Sequence, residues 1–329
     1  LFSFFIDKTS DCSIEIMDSC TLIAPAKINL YLEIIGDRPD GFHELVMVMQ
    51  SITLADRIDL QLNNTDTLCI RCDNADVPAD HTNLAYRAAA LMADRFGDRF
   101  AQRGAVDITI DKRIPVAAGL AGGSSNAAAV LVGIDLLWDL GLTRSELQEL
   151  GEVLGSDIPF CISGGTALVT GRGETISPLP ALGGLHVVLG KYRSLQVSTP
   201  WAYKTYRQQF GSQYVSDAAG LEERRQRVHS GPMVAAILQQ NGSQIGKLLH
   251  NDLQKVVLPA HPQVAKLRDA LAESGGLGAM MSGSGPSVFA LCPSEAQAQD
   301  IYAKVRSDFP DPDLELWVTQ LNPNGIEVT

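Results

Sequence analysis

Nowhere in the 329 residues does an uncharged run read as a membrane span. Ile114 to Ile134, as long as any, has the length for one. Its glycines, Pro115 and the Ser124-Ser125-Asn126 cluster argue against burial in lipid. Positive charge is scarce too: 26 Lys and Arg stand against 38 Asp and Glu, a net charge of -12. That balance denies the chain the broad basic footprint of a nucleic-acid binder. Metal-ligand patterns are also missing. The six histidines form no H-x-x-x-H pair, and Cys69 and Cys72 make a lone C-x-x-C without a second ligand pair. The expectation is free thiols in a reducing, cytoplasmic compartment and no structural metal. The first sixteen residues carry one lysine and no arginine, unlike a secretory signal or a transit peptide. Residues 1–16 are expected to be an extension outside the fold, with Met17 a natural start. Oligomeric state is not legible in the sequence.

What is present is length for two domains and 45% hydrophobic residues to fill their cores. From Lys27 to Ile34 the pattern alternates, so Lys27 and Asn29 share one strand face, opposite Ile28, Leu30, Leu32 and Ile34. Strands are read at "LVMVMQSITL", "DRIDLQL" and "VDITI", and a helix follows Asn83. Thr143 and Glu146 have the spacing of a capping box, and Gly155 ends the helix they open. In the second half, helices are read from Thr199-Pro200, at "PMVAAILQQ", at "SQIGKLLHNDLQKVV", at "HPQVAKLRDALAES" and from Ser294, while residues 212–231 read as a polar surface excursion. Strands and helices mix without strict alternation, so the fold class is α+β. The expected division is 17–180 and 181–329, close to the strand "GLHVVLGK".

Four segments carry candidate chemistry. In "IPVAAGLAGGSSNAAA", Gly119, Gly122 and Gly123 let backbone approach a ligand, and Ser124 and Ser125 open a helix whose free N–H groups favour an anion. It is neither a Walker A loop nor a G-x-G-x-x-G fingerprint, and it contains no lysine. Taken alone it reads equally as a tight packing turn. "SDIPF" puts a carboxylate, Asp157, just past a helix end; alone, this is a turn-forming Asp. "SGSGPS", Ser282 to Ser287, is a second glycine turn or a simple bend, and Lys27 follows "PA" at a strand start.

Together, "PAKINLYL", "GLAGGSSNAAA", "SDIPF" and "MSGSGPS" stand in the order and spacing of the GHMP small-molecule kinases, and the chain resembles that family over most of Leu22 to Leu291. The resemblance implies an N-terminal domain like ribosomal protein S5 domain 2 and a C-terminal ferredoxin-like α/β-plait domain. It implies ATP and Mg²⁺ as cofactors. Asp157 would be the general base, and Lys27 the cation that favours its ionised form and neutralises the transferring phosphoryl group. The loop residues Pro115, Gly119, Leu120, Ala121, Gly122, Gly123, Ser124 and Ser125 would hold ATP, with Ser125 reaching Mg²⁺ and with Asn83 and Lys112 as weaker nucleotide-site candidates. Asn29 would orient substrate or base.

"RPDGFHEL" resembles the loop of the branch whose small-molecule substrate is CDP-methylerythritol, in the non-mevalonate isoprenoid route. By that resemblance Phe42 stacks on cytosine and His43 hydrogen-bonds its edge. The second aromatic is open among Tyr192, Trp201 and Tyr203. Ala121 and Asn126 depart from the glycine and aspartate common in the family, and Ala121 is expected to take an ordinary backbone conformation. The alternatives are a homoserine- or mevalonate-type kinase, or a nucleotide-binding protein without catalysis.

Overall fold

The computed structural model describes residues 17–329; the expected extension 1–16 lies outside the described residues. Among the described residues, twelve strands form two sheets: β1 (Ser19–Asp37), β2 (His43–Leu62), β3 (Cys69–Cys72), β4 (Val106–Asp111), β5 (Thr166–Gly171), β6 (Thr175–Leu179), β7 (His186–Tyr192), β8 (His250–Asn251), β9 (Gly278–Met281), β10 (Val288–Cys292), β11 (Leu314–Gln320) and β12 (Glu327–Val328). Around them lie α1 (Leu84–Arg95), α2 (Gly97–Arg103), α3 (Gly122–Leu137), α4 (Arg144–Leu154), α5 (Ile158–Ser163), α6 (Thr199–Phe210), α7 (Ala218–His229), α8 (Pro232–Leu238), α9 (Gly242–Lys247), α10 (Gln254–Ala260), α11 (Pro262–Ala272) and α12 (Glu295–Asp308).

The first sheet is built on one long hairpin. The two segments read separately from the sequence are a single strand, β2, which pairs antiparallel with β1 along nearly its whole length. Register shifts between Pro25 and Lys27 and between Asn29 and Tyr31 bracket the segment Lys27–Asn29. Such bulges re-aim side chains, and here they flank Lys27 and Asn29. β4, β3, β5 and β6 extend the sheet from β2. On one face, α1, α3, α4 and α5 pack over Leu22, Ile58, Leu60 and Ile108.

The second sheet runs β11-β7-β10-β9, all antiparallel, with helices between β7 and β9 and α12 between β10 and β11. That β-α-β-β-α-β order is the ferredoxin-like plait the resemblance implied. The chain passes from the first sheet to the second between Leu179 and His186, yet it also returns. β8 pairs parallel with β1, and β12 pairs antiparallel with it. The two sheets share cores: Leu32, Met47 and Val169 of the first pack with Val188, Met281 and Ala290 of the second.

Two local expectations change. The helix read at 243–257 is broken into α9, β8 and α10. Periodicity cannot foresee that His250 and Asn251 pair with Tyr31 and Leu32, or that the Asn251 amide donates to Met281 O and Gly283 O, both at 2.8 Å. The polar excursion at 212–231 contains α7, fastened to the hairpin by Arg224 on Glu33 and Arg225 on Glu44.

The capping box at Thr143 and Glu146 forms as read, with both reciprocal hydrogen bonds. It seats α4, which leads through Gly155 to Asp157. Thr143→Ala is expected to lower stability by about 1 kcal/mol in urea unfolding, and a midpoint equal to wild type would contradict the cap's role.

Candidate active site

A cavity of about 880 Å³ opens between the two sheets' elements. One part is walled by the glycine loop, where Pro115, Gly119, Leu120, Ala121, Gly122, Gly123 and Ser124 all line it. α3 begins here and no side chain caps it. Its first N–H groups therefore face the cavity with the positive end of the helix dipole, an anion cradle. Ala117, Gly119 and Ala121 all have positive φ, at 51°, 74° and 57°. Ala121 thus does not take the ordinary conformation expected of it. It sits in the left-handed region because the loop alternates its backbone sense before entering the helix. That alternation turns successive N–H groups inward, and the strain of about 1–2 kcal/mol for a non-glycine residue is held by the loop's anchors.

The anchors are specific. Lys27 N donates to Leu120 O at 3.1 Å, and Ser125 Oγ donates to Pro25 O at 2.7 Å. Ser282 Oγ donates to Gly119 O at 3.2 Å. At Gly119 a Cβ would lie 2.4 Å from Ser282 O, so no side chain fits between the two glycine turns. Behind the loop, Asp56 is wholly buried. Its carboxylate accepts from Lys112 Nζ, from Asn126 Nδ2 at 2.8 Å, and from the N–H groups of Arg113 and Ile114 at 2.7 and 2.8 Å. Lys112 lines the cavity but is committed to this carboxylate.

Ser125 requires a correction. It is fully buried, its hydroxyl is engaged with Pro25 O, and it does not line the cavity. Ser124, one residue earlier, does. Asn83 lines the cavity, with its amide engaged: Oδ1 accepts from Ala85 N at 2.9 Å to cap α1, and Nδ2 donates to Pro78 O at 2.6 Å. Among the described residues no three His, Cys, Asp or Glu gather into a metal-binding group.

Lys27 also lines the cavity and is 4% exposed. Nζ donates to Asn29 Oδ1 at 2.8 Å and to Gly119 O at 3.2 Å, and stands 3.7 Å from Asp157 Oδ2. Asp157 opens α5, where Pro159 sits in the first turn. Its side chain is one-third exposed and faces the cavity. At 3.7 Å the pair is a charge contact longer than a hydrogen bond. The carboxylate is held beside a cation and keeps an open side toward the cavity. The missing loop lysine is thus replaced by one from β1, brought within hydrogen-bond reach of the loop.

Another part of the cavity lining is formed by Phe42, His43 and Tyr203. Phe42 is 51% exposed, with the Arg172 guanidinium 5.4 Å from its ring centroid. His43 is buried, and its ring lies 5.0 Å from that of Tyr203. Burial and then the Arg207 charge lower the His43 pKa to about 4, so the ring is neutral at pH 7. Of the three aromatics left open, only Tyr203 lines the cavity; Tyr192 is in the core and Trp201 packs on His261. Arg172, Lys204 and Arg207 add positive charge to this part. None of the three was singled out in the sequence, nor was Asp56; an acid within "LADRIDL" carries no local sign of its burial.

Family models for the GHMP kinase N-terminal domain and the GHMP kinase C-terminal region match residues 83–165 and 233–311, which sets the class. A protein of Trichodesmium erythraeum named 4-diphosphocytidyl-2-C-methyl-D-erythritol kinase is 61% identical over 95% of this chain and 99% of its own length. One of the same name from Nostoc punctiforme is 62% identical over the same shares. The chain therefore belongs to the 4-diphosphocytidyl-2-C-methyl-D-erythritol kinase family of the GHMP kinases. A crystal structure of a 4-(cytidine 5'-diphospho)-2C-methyl-D-erythritol kinase superposes with a TM-score of 0.70 at 29% identity, covering 92% of this chain and 99% of that one. A homoserine kinase from Cytophaga hutchinsonii, at 20% identity and a TM-score of 0.73 over the whole of both chains, shares the fold. No helix among the described residues is long and apolar enough to cross a membrane.

Asp56→Ala leaves Lys112 buried without its partner and strips two backbone N–H groups of their acceptor. A loss of about 3–5 kcal/mol in urea unfolding is expected. Stability close to wild type would contradict the reading of Asp56 as the loop's anchor.

Proposed function

We propose that this chain transfers the γ-phosphoryl group of ATP to the 2-hydroxyl of 4-(cytidine 5'-diphospho)-2-C-methyl-D-erythritol, a step of non-mevalonate isoprenoid precursor synthesis. The observation that carries the proposal is the position of the Lys27–Asp157 pair. It shares one cavity with an uncapped helix N-terminus and with the Phe42, His43 and Tyr203 rings. The helix N-terminus suits the ATP phosphates, and the rings suit a pyrimidine base.

In this reading Asp157 accepts the substrate hydroxyl proton as the oxygen attacks phosphorus. Lys27 stabilises the charge on the transferring group, and Asn29 fixes the Lys27 ammonium through the 2.8 Å hydrogen bond. Loop N–H groups hold the nucleotide phosphates. Ser124, at the start of α3, is the loop side chain that would help to hold a Mg²⁺ bound with those phosphates. When bound, the metal neutralises phosphate charge. Phe42 and Tyr203 supply stacking faces, and the neutral His43 ring supplies polar atoms for the base edge. Five free cysteines among the described residues support a reducing cytoplasm as the setting.

Purified protein should release ADP from Mg-ATP with the CDP-linked substrate and not with homoserine or mevalonate. Release with either rival and none with the CDP compound would overturn the proposal.

A further inference from the structure

The base-binding part of the cavity contains a charge arrangement that phosphoryl transfer does not use. Asp37 closes β1, His43 opens β2, and the two are register partners across the hairpin. His43 Nε2 is buried without a hydrogen-bond partner, 3.9 Å from Asp37 Oδ1. Left alone, a carboxylate and an imidazole so placed favour the imidazolium and draw together. Arg207 of α6 stands between them in charge. Its Nε donates to the same Asp37 Oδ1 at 2.8 Å, and its Nη2 donates to Gly41 O at 3.1 Å.

The other groups facing His43 carry no competing charge. Tyr203 of α6 lies 5.0 Å away by ring centroid, and Tyr214 meets it edge-on at 6.0 Å. Glu44, the next residue along β2, is occupied by Arg38 and Arg225. The balance at His43 is therefore set by Asp37 on one side and Arg207 on the other.

We infer that Arg207 is a positioning residue for substrate recognition: by engaging Asp37 and the Gly41 carbonyl it fixes the Gly41–His43 loop and keeps the His43 ring free of Asp37 and seated against Tyr203. The inference rests on the proposal that this part binds the cytidine base. Burial and the Arg207 charge hold His43 neutral, while Asp37 acts in the opposite sense. Without Arg207, protonated His43 turns toward Asp37 and the base loses its partner. The effect belongs to substrate affinity, because Arg207 is clamped to Asp37 and Gly41 at the base-binding part, apart from the Lys27–Asp157 pair.

The test is KM for the CDP-linked substrate between about pH 5.5 and 8, as the ratio of variant to wild type at each pH. Arg207→Ala should raise KM severalfold at pH 8. The ratio should grow further as the pH falls to 5.5, because His43 loses the Arg207 charge that helps to hold its pKa down, with kcat within about threefold of wild type. Arg207→Lys keeps the charge and loses the fork, so its KM should be raised with a flat ratio. In Asp37→Asn/Arg207→Ala the ratio should be flat again. NMR titration should find the His43 ring near 4 in wild type and shifted upward in Arg207→Ala. A flat ratio or an unmoved titration in Arg207→Ala would overturn the inference. So would a pH slope that survives in the double variant, or a loss confined to kcat. A wild-type protein with no turnover on the CDP compound would count against the proposed function instead, and the NMR titration would still decide the role of Arg207.

Discussion

The site depends on one buried cation. Lys27 is nearly sealed from solvent, and a charge so placed survives only with partners on every side. Asn29, the Gly119 carbonyl and Asp157 are those partners, and each comes from a different part of the chain. One ammonium group therefore registers β1, the glycine loop and the start of α5 against each other. The bulges on either side of Lys27–Asn29 let a regular strand present this group at the cavity.

The glycine loop is likewise held from several sides. Its backbone is bent through three positive-φ residues, a shape that needs external support. Asp56 supports it from behind, Pro25 and Lys27 from below, and Ser282 from the second sheet. The last contact links the two halves of the molecule. Thr199 and Ser284, whose hydroxyls are 2.7 Å apart, tie the start of α6 to the same turn. Since α6 also carries Tyr203 and Arg207, the glycine loop and the aromatic wall of the cavity share one framework.

Much of this was legible in the sequence, for identifiable reasons. Period-two alternation placed Lys27 and Asn29 on one face, and small residues before an apolar helix marked the loop. Cap chemistry located α4 and the approach to Asp157. What failed to show was tertiary. Ser124 and Ser125 look equivalent as letters, yet adjacent positions on a helix point about 100° apart, so only one faces the cavity. Asp56 and Arg207 act through partners 56 or more residues away, which no local pattern encodes. The β8 break in a helical-looking run, and the choice of Tyr203 over Tyr192 and Trp201, likewise depend on packing between distant segments.

The central claim is that the carboxylate beside Lys27 is the proton acceptor for the reaction. Asp157→Asn preserves shape and removes the charge, so it isolates that role. Turnover of the CDP-linked substrate should fall by about 100-fold or more, while calorimetry should find ATP binding retained. An Asp157→Asn variant that turns over near the wild-type rate would contradict the account.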